Sequence, residues 1–379
     1  MDGFKVEALK DQAARAAWLV ALSVELKTKR YKPSPLRRIY IWKDRAKTKR
    51  RALSIPTVKD RVVQTAMAIL LIPIWEPDYH EYSYAYRPQR RTHQALDTIR
   101  AALFARKTEV IDADLSSYFD TIPHRELMQL VVKRVSDGSV LCLIKAWLRA
   151  PIIEQDKKTG KCKGIANTCG APQGGVVSPG LANLYLNALD HEMNAQGKRG
   201  PVMVRYADDL VILAKPGQSQ PLLARLREWL ASRRLQLNQD KTRLVDVRQE
   251  PLHFLGFAIS WRISRNRVRY PHAEPSRKSQ IKLRDKVRAI LNVRTRNQPD
   301  LAIVKKLNQI TRGWFTAFDY GHSHNVLKVQ QSYVESKLRH WLWRKYSRVH
   351  SRSDFFTNDR LHGQYHLWRW YTEEADAPA

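Results

Sequence analysis

Two adjacent aspartates, Asp208 and Asp209, stand between two apolar runs in the segment VRYADDLVIL. Neighbouring side chains on a strand point to opposite faces, so the two carboxylates converge only if the chain turns there. The flanking apolar and β-branched residues predict a hairpin that turns around Ala207 and Asp208. Carboxylates at such a tip repel each other, and a cation with oxygen ligands such as Mg²⁺ would relieve the repulsion. A plain polar turn is the alternative interpretation, because Asp is a favoured turn residue.

A third carboxylate belongs to an earlier segment, KTEVIDADL at residues 107–115. Its alternation of residue types predicts a strand with Val110, Asp112 and Asp114 on one face. The strand leads to an aromatic pair in DADLSSYFDTIPH. Because Asp112 and Asp114 share that face, both are candidate ligands.

A glycine-rich segment, GAPQGGVVSPGLANLYL, lies between these two acidic sites. Glycines beside Gln173 allow the backbone to approach a ligand closely, and the Gln173 side chain could then contact a base or a sugar. The following residues predict a helix with Ser178 as its N-cap and Pro179 at its first helical position. The glycines alone are a weak signal.

The charge balance indicates a polyanionic partner. The 379 residues carry 67 Lys and Arg against 36 Asp and Glu, a net charge of +31 with a pI near 10.2, and nucleic acid is the leading candidate. Residues 27–51 hold twelve Lys and Arg with one acid, and residues 261–350 hold 21 with five. Aromatics interleave the second block, as a nucleic-acid track requires, although a charged block can also be a solvated face.

Other classes of protein are disfavoured. The three cysteines have no CxxC spacing, so neither a disulfide framework nor a zinc module is expected. The apolar stretch AMAILLIPIW is too short for a membrane span and is broken by Pro73, and the chain starts without a secretory signal. We therefore expect a protein of the cytoplasm, without a membrane partner.

Periodicity predicts the elements that position these residues. Before the first acidic site we expect a helix at 11–30, a basic strand at 36–42 and a helix that opens at Thr57 and stops at Pro73. Further helices are expected from His124 and at 139–149 and 218–234, and short strands at 243–259. After Pro271 and Pro275 the pattern is helical only, which predicts a domain boundary near 262–275.

In this order and spacing the motifs resemble the group II intron-encoded reverse transcriptase/maturase family, from about residue 2 to about residue 350. The quoted motifs are joined by YKPSPLRRIYI, LSIPTVKDRVVQTAM, SYAYRPQRRTHQAL, LQLNQDKTR, HFLGF and RGWFTAFDYG. The resemblance implies an α+β, right-hand polymerase: fingers and palm with an antiparallel sheet and a Tyr-x-Asp-Asp hairpin, then an all-helical thumb, or domain X. The implied domains are fingers at 1–105 with most of the N-terminal extension absent, palm at 106–262, thumb at 263–350 and a C-terminal tail at 351–379.

The resemblance also implies roles for individual residues. Asp114, Asp208 and Asp209 would be the catalytic, metal-binding carboxylates. The family's metal site does not use the position of Asp112, which is therefore interpreted as structural or solvated. The nucleotide site would use Arg51 and Arg61 on the triphosphate, Phe119 under the sugar, Gln173 beside the nascent pair and Lys241 near the leaving pyrophosphate. Phe254, Leu255, Gly256 and Phe257 would form the primer grip. The basic blocks supply the nucleic-acid-binding candidates, which are Arg37, Arg38, Lys278, Lys282, Lys286 and Arg312.

The implied activity is RNA-directed DNA synthesis by nucleotidyl transfer with two Mg²⁺ ions, with Mn²⁺ as a possible substitute. The expected partners are an RNA template, intron RNA, a DNA or RNA primer and dNTPs, in a bacterial, nucleoid-associated protein of the endonuclease-lacking type that also assists splicing. A free-standing reverse transcriptase for host defence, CRISPR spacer acquisition or repair is the alternative, and a non-catalytic RNA-folding protein is disfavoured by the three carboxylates. Ser54, Ala85 and Gln89 depart from the family's usual glycines, which leaves the finger loops less well defined.

Overall fold

The computed structural model describes residues 9–42, 48, 50–155, 159–346 and 355–371. Within it the chain forms two compact units, Met1–Leu244 and Val245–Ala379. The start of the chain and several residues of the first basic block, on which some expectations rest, lie outside the described ranges. In the described part of the chain, every helix is too short or too polar to cross a membrane.

The first unit alternates helices and strands. Its helices are α1 Gln12–Lys27, α2 Val58–Trp75, α3 Thr92–Phe104, α4 Tyr118–Thr121, α5 His124–Val131, α6 Gly138–Arg149, α7 Ser178–Met193 and α8 Ser219–Ser232. Its strands are β1 Leu36–Trp42, β2 Arg50–Ile55, β3 Glu109–Asp114, β4 Ile152–Gln155, β5 Cys162–Ile165, β6 Val202–Tyr206, β7 Asp209–Ala214 and β8 Arg243–Asp246, within which the division between units falls.

These strands form two sheets. One has the order β2-β1-β4-β5, in which β1 is antiparallel to β2 and parallel to β4 through Leu36 opposite Ile152. The other has the order β6-β7-β3-β8, with β7 antiparallel to both β6 and β3. The second sheet presents buried apolar side chains such as Ile111 and Ile212 to the helices. Burial of that face fixes the strand register, because a one-residue slip would expose it.

Two of the expected helix ends are wrong. Helix α2 begins after the Thr57 cap as expected, but Pro73 does not stop it, and the helix runs on to the buried Trp75. Pro73 removes only one backbone hydrogen bond near the helix end, so packing of Trp75 next to Gly180 outweighs that loss. Helix α7 has Val177 as its N-cap, and Ser178 is a buried residue of the first turn without a capping hydrogen bond.

The second unit starts with a three-stranded sheet and continues with helices. Its strands are β9 Leu252–Phe254, β10 Phe257–Ile263 and β11 Arg269–Pro275, in the order β11-β10-β9. Its helices are α9 Arg277–Ile290, α10 Asp300–Phe318, α11 His324–Tyr346 and α12 Asn358–His362. The expected apolar stripes meet in one core, through residues such as Leu283, Leu307 and Leu338.

The structure divides the chain differently from the sequence pattern. Residues 262–275, where the boundary was expected, form most of the β10–β11 pair, and the division into compact units lies earlier, after Leu244. Residues 355–371, expected to be part of a tail, contribute Phe356, Leu361 and Trp370 to the core of the second unit. The division into fingers, palm, thumb and tail stays a prediction.

Candidate active site

The two adjacent aspartates lie at the predicted hairpin. Tyr206 pairs with Asp209 across β6 and β7, so Ala207 and Asp208 form a two-residue turn. Ala207 has a φ of 60°, a left-handed conformation that costs free energy for a residue with a Cβ atom. Such strain is typical of functional turns that the surrounding structure holds in place.

Antiparallel pairing brings the third carboxylate to this turn. Asp114 ends β3 directly opposite Asp209 on β7. The Asp114 carboxylate accepts hydrogen bonds from Lys241 Nζ at 2.8 Å and Asn238 Nδ2 at 3.3 Å. The Asn238 backbone N–H also donates to the Asp114 carbonyl. The loop before β8 therefore fixes both the backbone and the side chain of Asp114.

Charge is concentrated in this group. Desolvation, then the negative charges of Asp208 and Asp114, raise the pKa of Asp209 to about 6, although its side chain is open to solvent. Lys241 offsets only part of that effect. A bound cation would remove the repulsion, so these hard oxygen donors suit a divalent metal ion.

The neighbouring Asp112 has a different partner. Its carboxylate accepts a hydrogen bond from Arg243 Nε at 3.1 Å, a geometry that agrees with the structural role expected for it. In the described residues, no group of three or more His, Cys, Asp or Glu side chains is arranged as a ready metal cage. Mg²⁺ sites commonly use one or two carboxylates and complete their coordination with water and substrate phosphates.

Tyr86, which the sequence interpretation did not single out, is influenced by the charge of this group. It is about half exposed and has a φ of 59°. Desolvation and then the charge of Asp208 raise the pKa of its phenol, and the charge of Arg51 opposes them. Arg51, on β2, is exposed, so this predicted triphosphate ligand is free to contact an anion. Arg61 is exposed in the first turn of α2.

The glycine-rich segment is fixed against the elements that flank it. The Gln173 carbonyl accepts from the Ser54 N–H at 2.7 Å, and a Cβ atom at Gly174 would lie 2.8 Å from the Ser54 carbonyl oxygen. The Ala171 N–H donates to the Phe119 carbonyl at 2.7 Å, which joins the same segment to α4. Phe119 is half buried and packs edge-on against Tyr118. The predicted nucleotide residues Gln173 and Phe119 are therefore on one connected framework.

The predicted primer grip is a tight hairpin in the second unit. Phe254 pairs with Phe257, and Leu255 and Gly256 both have positive φ, as a type I′ turn requires. The Gly256 carbonyl accepts from Ser279 Oγ at 2.8 Å. A Cβ atom at Gly256 would lie 3.1 Å from the ring of Phe318, so a larger residue would disturb the hairpin.

The remaining candidates are on the surfaces of their elements. Lys278, Lys282 and Lys286 are exposed along α9, away from the buried Leu283 and Val287. The other nucleic-acid-binding candidates are Arg37, exposed on β1, Arg38, half buried there, and Arg312, exposed on α10 with its guanidinium over the ring of Trp368. The cysteines Cys142, Cys162 and Cys169 are free and exposed.

Sequence interpretation also missed Arg205. It is almost fully buried, with 1% of its surface exposed, between the apolar residues of β6, and it forms an ion pair with the equally buried Asp190. A basic residue inside the run VMVRY and an acid among the apolar residues of α7 were the signals that could have revealed the pair.

Comparison with protein families identifies two segments. Residues 41–259 match the family model of reverse transcriptase (RNA-dependent DNA polymerase), and residues 281–358 match that of the group II intron maturase-specific domain. The first match covers the glycine-rich segment, all three aspartates and the primer-grip hairpin. A divalent-metal requirement is general for such polymerase domains.

Curated proteins and a solved structure agree with these matches. Protein YkfC of Escherichia coli K12 is 37% identical over 298 residues, covering 68% of this chain and 74% of that protein. Group II intron-encoded protein LtrA of Lactococcus lactis subsp. cremoris is 29% identical over 328 residues, covering 69% of this chain and 51% of that protein. The chain thus spans about half the length of LtrA.

The fold is similar to that of a telomerase from Candida albicans, solved with a fragment of telomeric RNA, with a TM-score of 0.52 and 11% sequence identity. The superposition covers 91% of this chain and 64% of the telomerase chain. At that identity the likeness shows the fold alone. It confirms the expected right-hand polymerase fold, in which mainly antiparallel sheets are followed by a helical C-terminal region.

Proposed function

The chain belongs to the reverse transcriptase family and carries a group II intron maturase-specific domain, and from this premise we propose that it copies RNA into DNA with Mg²⁺ and helps intron RNA to splice. The observation that carries the proposal is the register of β3 and β7. It sets Asp114 opposite Asp209, next to Asp208 in the turn. A merely polar turn would not need a third carboxylate at that place.

The three carboxylates would hold the metal ions. When bound, two Mg²⁺ ions would stabilise the attacking primer oxygen and the leaving phosphate oxygen. Asp114 and Asp208 are proposed as the more directly engaged ligands, with Asp209 beside them. Because the carboxylates do not form a complete cage, the nucleotide phosphates are proposed to complete the site.

The nucleotide would be held by groups around the carboxylates. Arg51 and Arg61 would bind the triphosphate, since a guanidinium can contact phosphate oxygens in pairs. Lys241 would leave Asp114 when a cation is bound there and would then lie near the pyrophosphate. The Phe119 ring under the sugar would leave no room for a 2′-hydroxyl group, which selects deoxynucleotides.

The nucleic acids would be held by surfaces outside the carboxylate group. We propose that the basic residues of β1 and of α9 and α10 bind phosphates of the RNA template and intron RNA. The 254–257 hairpin would hold the DNA or RNA primer. The net charge of +31 supports a nucleoid-associated location in the cytoplasm.

Primer extension on an RNA template with Mg²⁺ and dNTPs tests the polymerase. We expect Asp114→Asn and Asp208→Asn each to abolish extension, because each removes a charge from the metal-binding group. Asp112→Asn is the matched control, since Asp112 lies on the same strand face but pairs with Arg243, and it should retain most of the activity. Extension by the Asp208 variant at a rate near that of the unsubstituted protein would contradict the assignment.

RNA affinity and splicing test the second part of the proposal. The variant with Asp208 and Asp209 both changed to Asn should bind RNA at least as well as the unsubstituted protein, because it has lost negative charge from a polyanion-binding cleft. With a cognate intron, it should promote splicing while making no cDNA. If an intron is found around the gene, failure of the unsubstituted protein to promote its splicing would exclude the maturase role.

A further inference from the structure

The buried guanidinium of Arg205 has five N–H groups, and each meets an acceptor. Nε and Nη2 donate to the Asp190 carboxylate at 2.7 and 2.5 Å. Nη1 donates to Asn183 Oδ1 at 2.9 Å, and the second Nη2 N–H donates to Ser83 Oγ at 2.7 Å. The fifth donates from Nη1 to the Ala207 carbonyl at 3.1 Å. An arginine bound on four sides by fixed partners is a rigid donor for the fifth.

The fifth bond reaches the turn that carries Asp208. The Ala207 carbonyl belongs to the planar peptide unit whose other end is the Asp208 nitrogen, so a hydrogen bond to that oxygen fixes the plane from which Asp208 departs. Ala207 itself is in the left-handed region, where a residue with a Cβ atom gains by leaving. The turn thus needs an external restraint, and Arg205 supplies one from inside the protein.

The same residue is also bound through its backbone to a second segment, residues 82–84. The Arg205 N–H donates to the Tyr82 carbonyl, and the Tyr84 N–H donates to the Arg205 carbonyl, both at 3.0 Å. Ser83, between them, accepts from the guanidinium. Together these bonds form a short β-bridge between Ser83 and Arg205, which fixes residues 82–84 to the strand that leads into the turn.

We propose that Arg205 is a positioning residue for catalysis: through the Ala207 carbonyl it sets the direction of the Asp208 carboxylate. This inference rests on the proposed polymerase activity. Asp190 and Asn183 act through Arg205, since they hold its guanidinium in the one orientation that reaches Ala207. If Arg205 contributed only to stability, losing its hydrogen bonds would affect kcat no more than losing any other buried hydrogen bond between α7 and β6.

The conservative variant Arg205→Lys tests the proposal. A lysine can keep the ion pair with Asp190, but its ammonium cannot also reach Asn183, Ser83 and the Ala207 carbonyl. We expect kcat for RNA-templated extension to fall by about tenfold to a hundredfold, with little change in KM for the primer–template. The Mg²⁺ concentration for half-maximal activity should rise. Mn²⁺ affinity without nucleotide, measured by electron paramagnetic resonance, should fall.

Asn194→Ala is the matched control. Asn194 is buried at the end of α7 and joins that helix to Met203 of β6 by two hydrogen bonds, at 2.9 and 3.1 Å. Neither bond involves the turn. The control should lower thermal stability without changing kcat or Mn²⁺ affinity.

A change at the turn distinguishes positioning from stability. Glycine adopts a φ of 60° without strain, so in an Ala207→Gly background the turn depends less on the restraint. We therefore expect Arg205→Lys to cause a smaller fold-loss of kcat in that background than in the unsubstituted protein. An equal loss in both backgrounds, or a loss no larger than that of Asn194→Ala, would overturn the proposal.

Two further outcomes are decided in the same experiment. If Arg205→Lys does not fold, Ser83→Ala is tested instead, because it keeps the buried ion pair and removes only the hydrogen bond from Arg205 Nη2 to Ser83 Oγ. It should lower kcat with KM unchanged, and an unchanged kcat would then overturn the proposal. If the unsubstituted protein makes no cDNA, the proposed function fails, whereas Mn²⁺ affinity still tests Arg205.

Discussion

Replacing Asp209 by asparagine should stabilise the metal-free protein at neutral pH while removing a residue proposed to hold metal. The folded state raises the pKa of Asp209 from 3.8 to about 6. An acid with a raised pKa binds protons more tightly in the folded state, so its favourable contribution is complete below the unfolded pKa. That contribution is lost as pH rises through about 6. Above this range the charged carboxylate destabilises the fold.

The shift of about two pKa units sets a ceiling of about 3 kcal/mol, because each unit corresponds to about 1.4 kcal/mol. Asp209 is exposed, so solvent screening reduces the effect to about 1 kcal/mol. That corresponds to a rise in Tm of about 2 °C for a unit of this size. Urea unfolding in EDTA at several pH values from 4 to 7.5 measures the difference between Asp209→Asn and the unsubstituted protein.

The gain should be absent near pH 4, should appear between pH 4 and 6 and should be constant above that range. Mg²⁺ should stabilise the unsubstituted protein more than the variant and so remove the gain. Asp78→Asn is a control of opposite sign, because hydrogen bonding from Arg134 lowers the pKa of Asp78. This control should be less stable at pH 7.5 by less than about 1 kcal/mol. A gain for Asp209→Asn that is equal at pH 4 and pH 7.5 would refute the reasoning.

Three other predictions concern the nucleotide, the nucleic acid and the primer grip. Phe119→Ala should raise the incorporation of ribonucleotides relative to deoxynucleotides in a competition assay. An unchanged ratio would show that Phe119 only packs in the core. Charge reversal of Lys278, Lys282 and Lys286 to Glu should weaken RNA binding and flatten its dependence on salt, since phosphate contacts release counterions; full binding across the salt series would contradict the assignment. Gly256→Val should lower the free energy of unfolding by about 1 kcal/mol or more, because position 256 has a positive φ and lies against the Phe318 ring. It should also shorten the cDNA products; products of normal length from a folded variant would show that the hairpin does not hold the primer.

Sequence patterns predicted the features that depend on neighbouring residues. The hairpin around Ala207 and Asp208, the strand at 36–42 and the Thr57 cap are each determined by a few adjacent side chains, and the structure has them all. Alternation on β3 also predicted that Asp112 and Asp114 share a face. Opposite pairing of Asp114 with Asp209 could not be read from periodicity, since it depends on which strands meet.

Features that depend on distant residues were missed or misjudged. Pro73 is a helix breaker by local rules, but burial of Trp75 two residues later decides the helix end. Arg205 is held by a hydrogen bond to Ser83, and the charge of Asp208 raises the pKa of Tyr86; both pairs are more than 100 residues apart in sequence. A single sequence carries no information about such contacts except the presence of polar residues in apolar runs.

The parallel pairing of β1 with β4 has a consequence for synthesis on the ribosome. Leu36 meets Ile152, so β1 must wait for more than a hundred further residues, which takes about 5 to 20 s at a synthesis rate of about 5 to 20 residues per second. During that delay one edge of β1 is unpaired in the nascent chain, and an open strand edge is a template for aggregation. Arg37 and Arg38 lie on this strand, and charged residues on an edge oppose such pairing. The residues proposed to bind RNA in the finished protein therefore also protect the chain while it is being made.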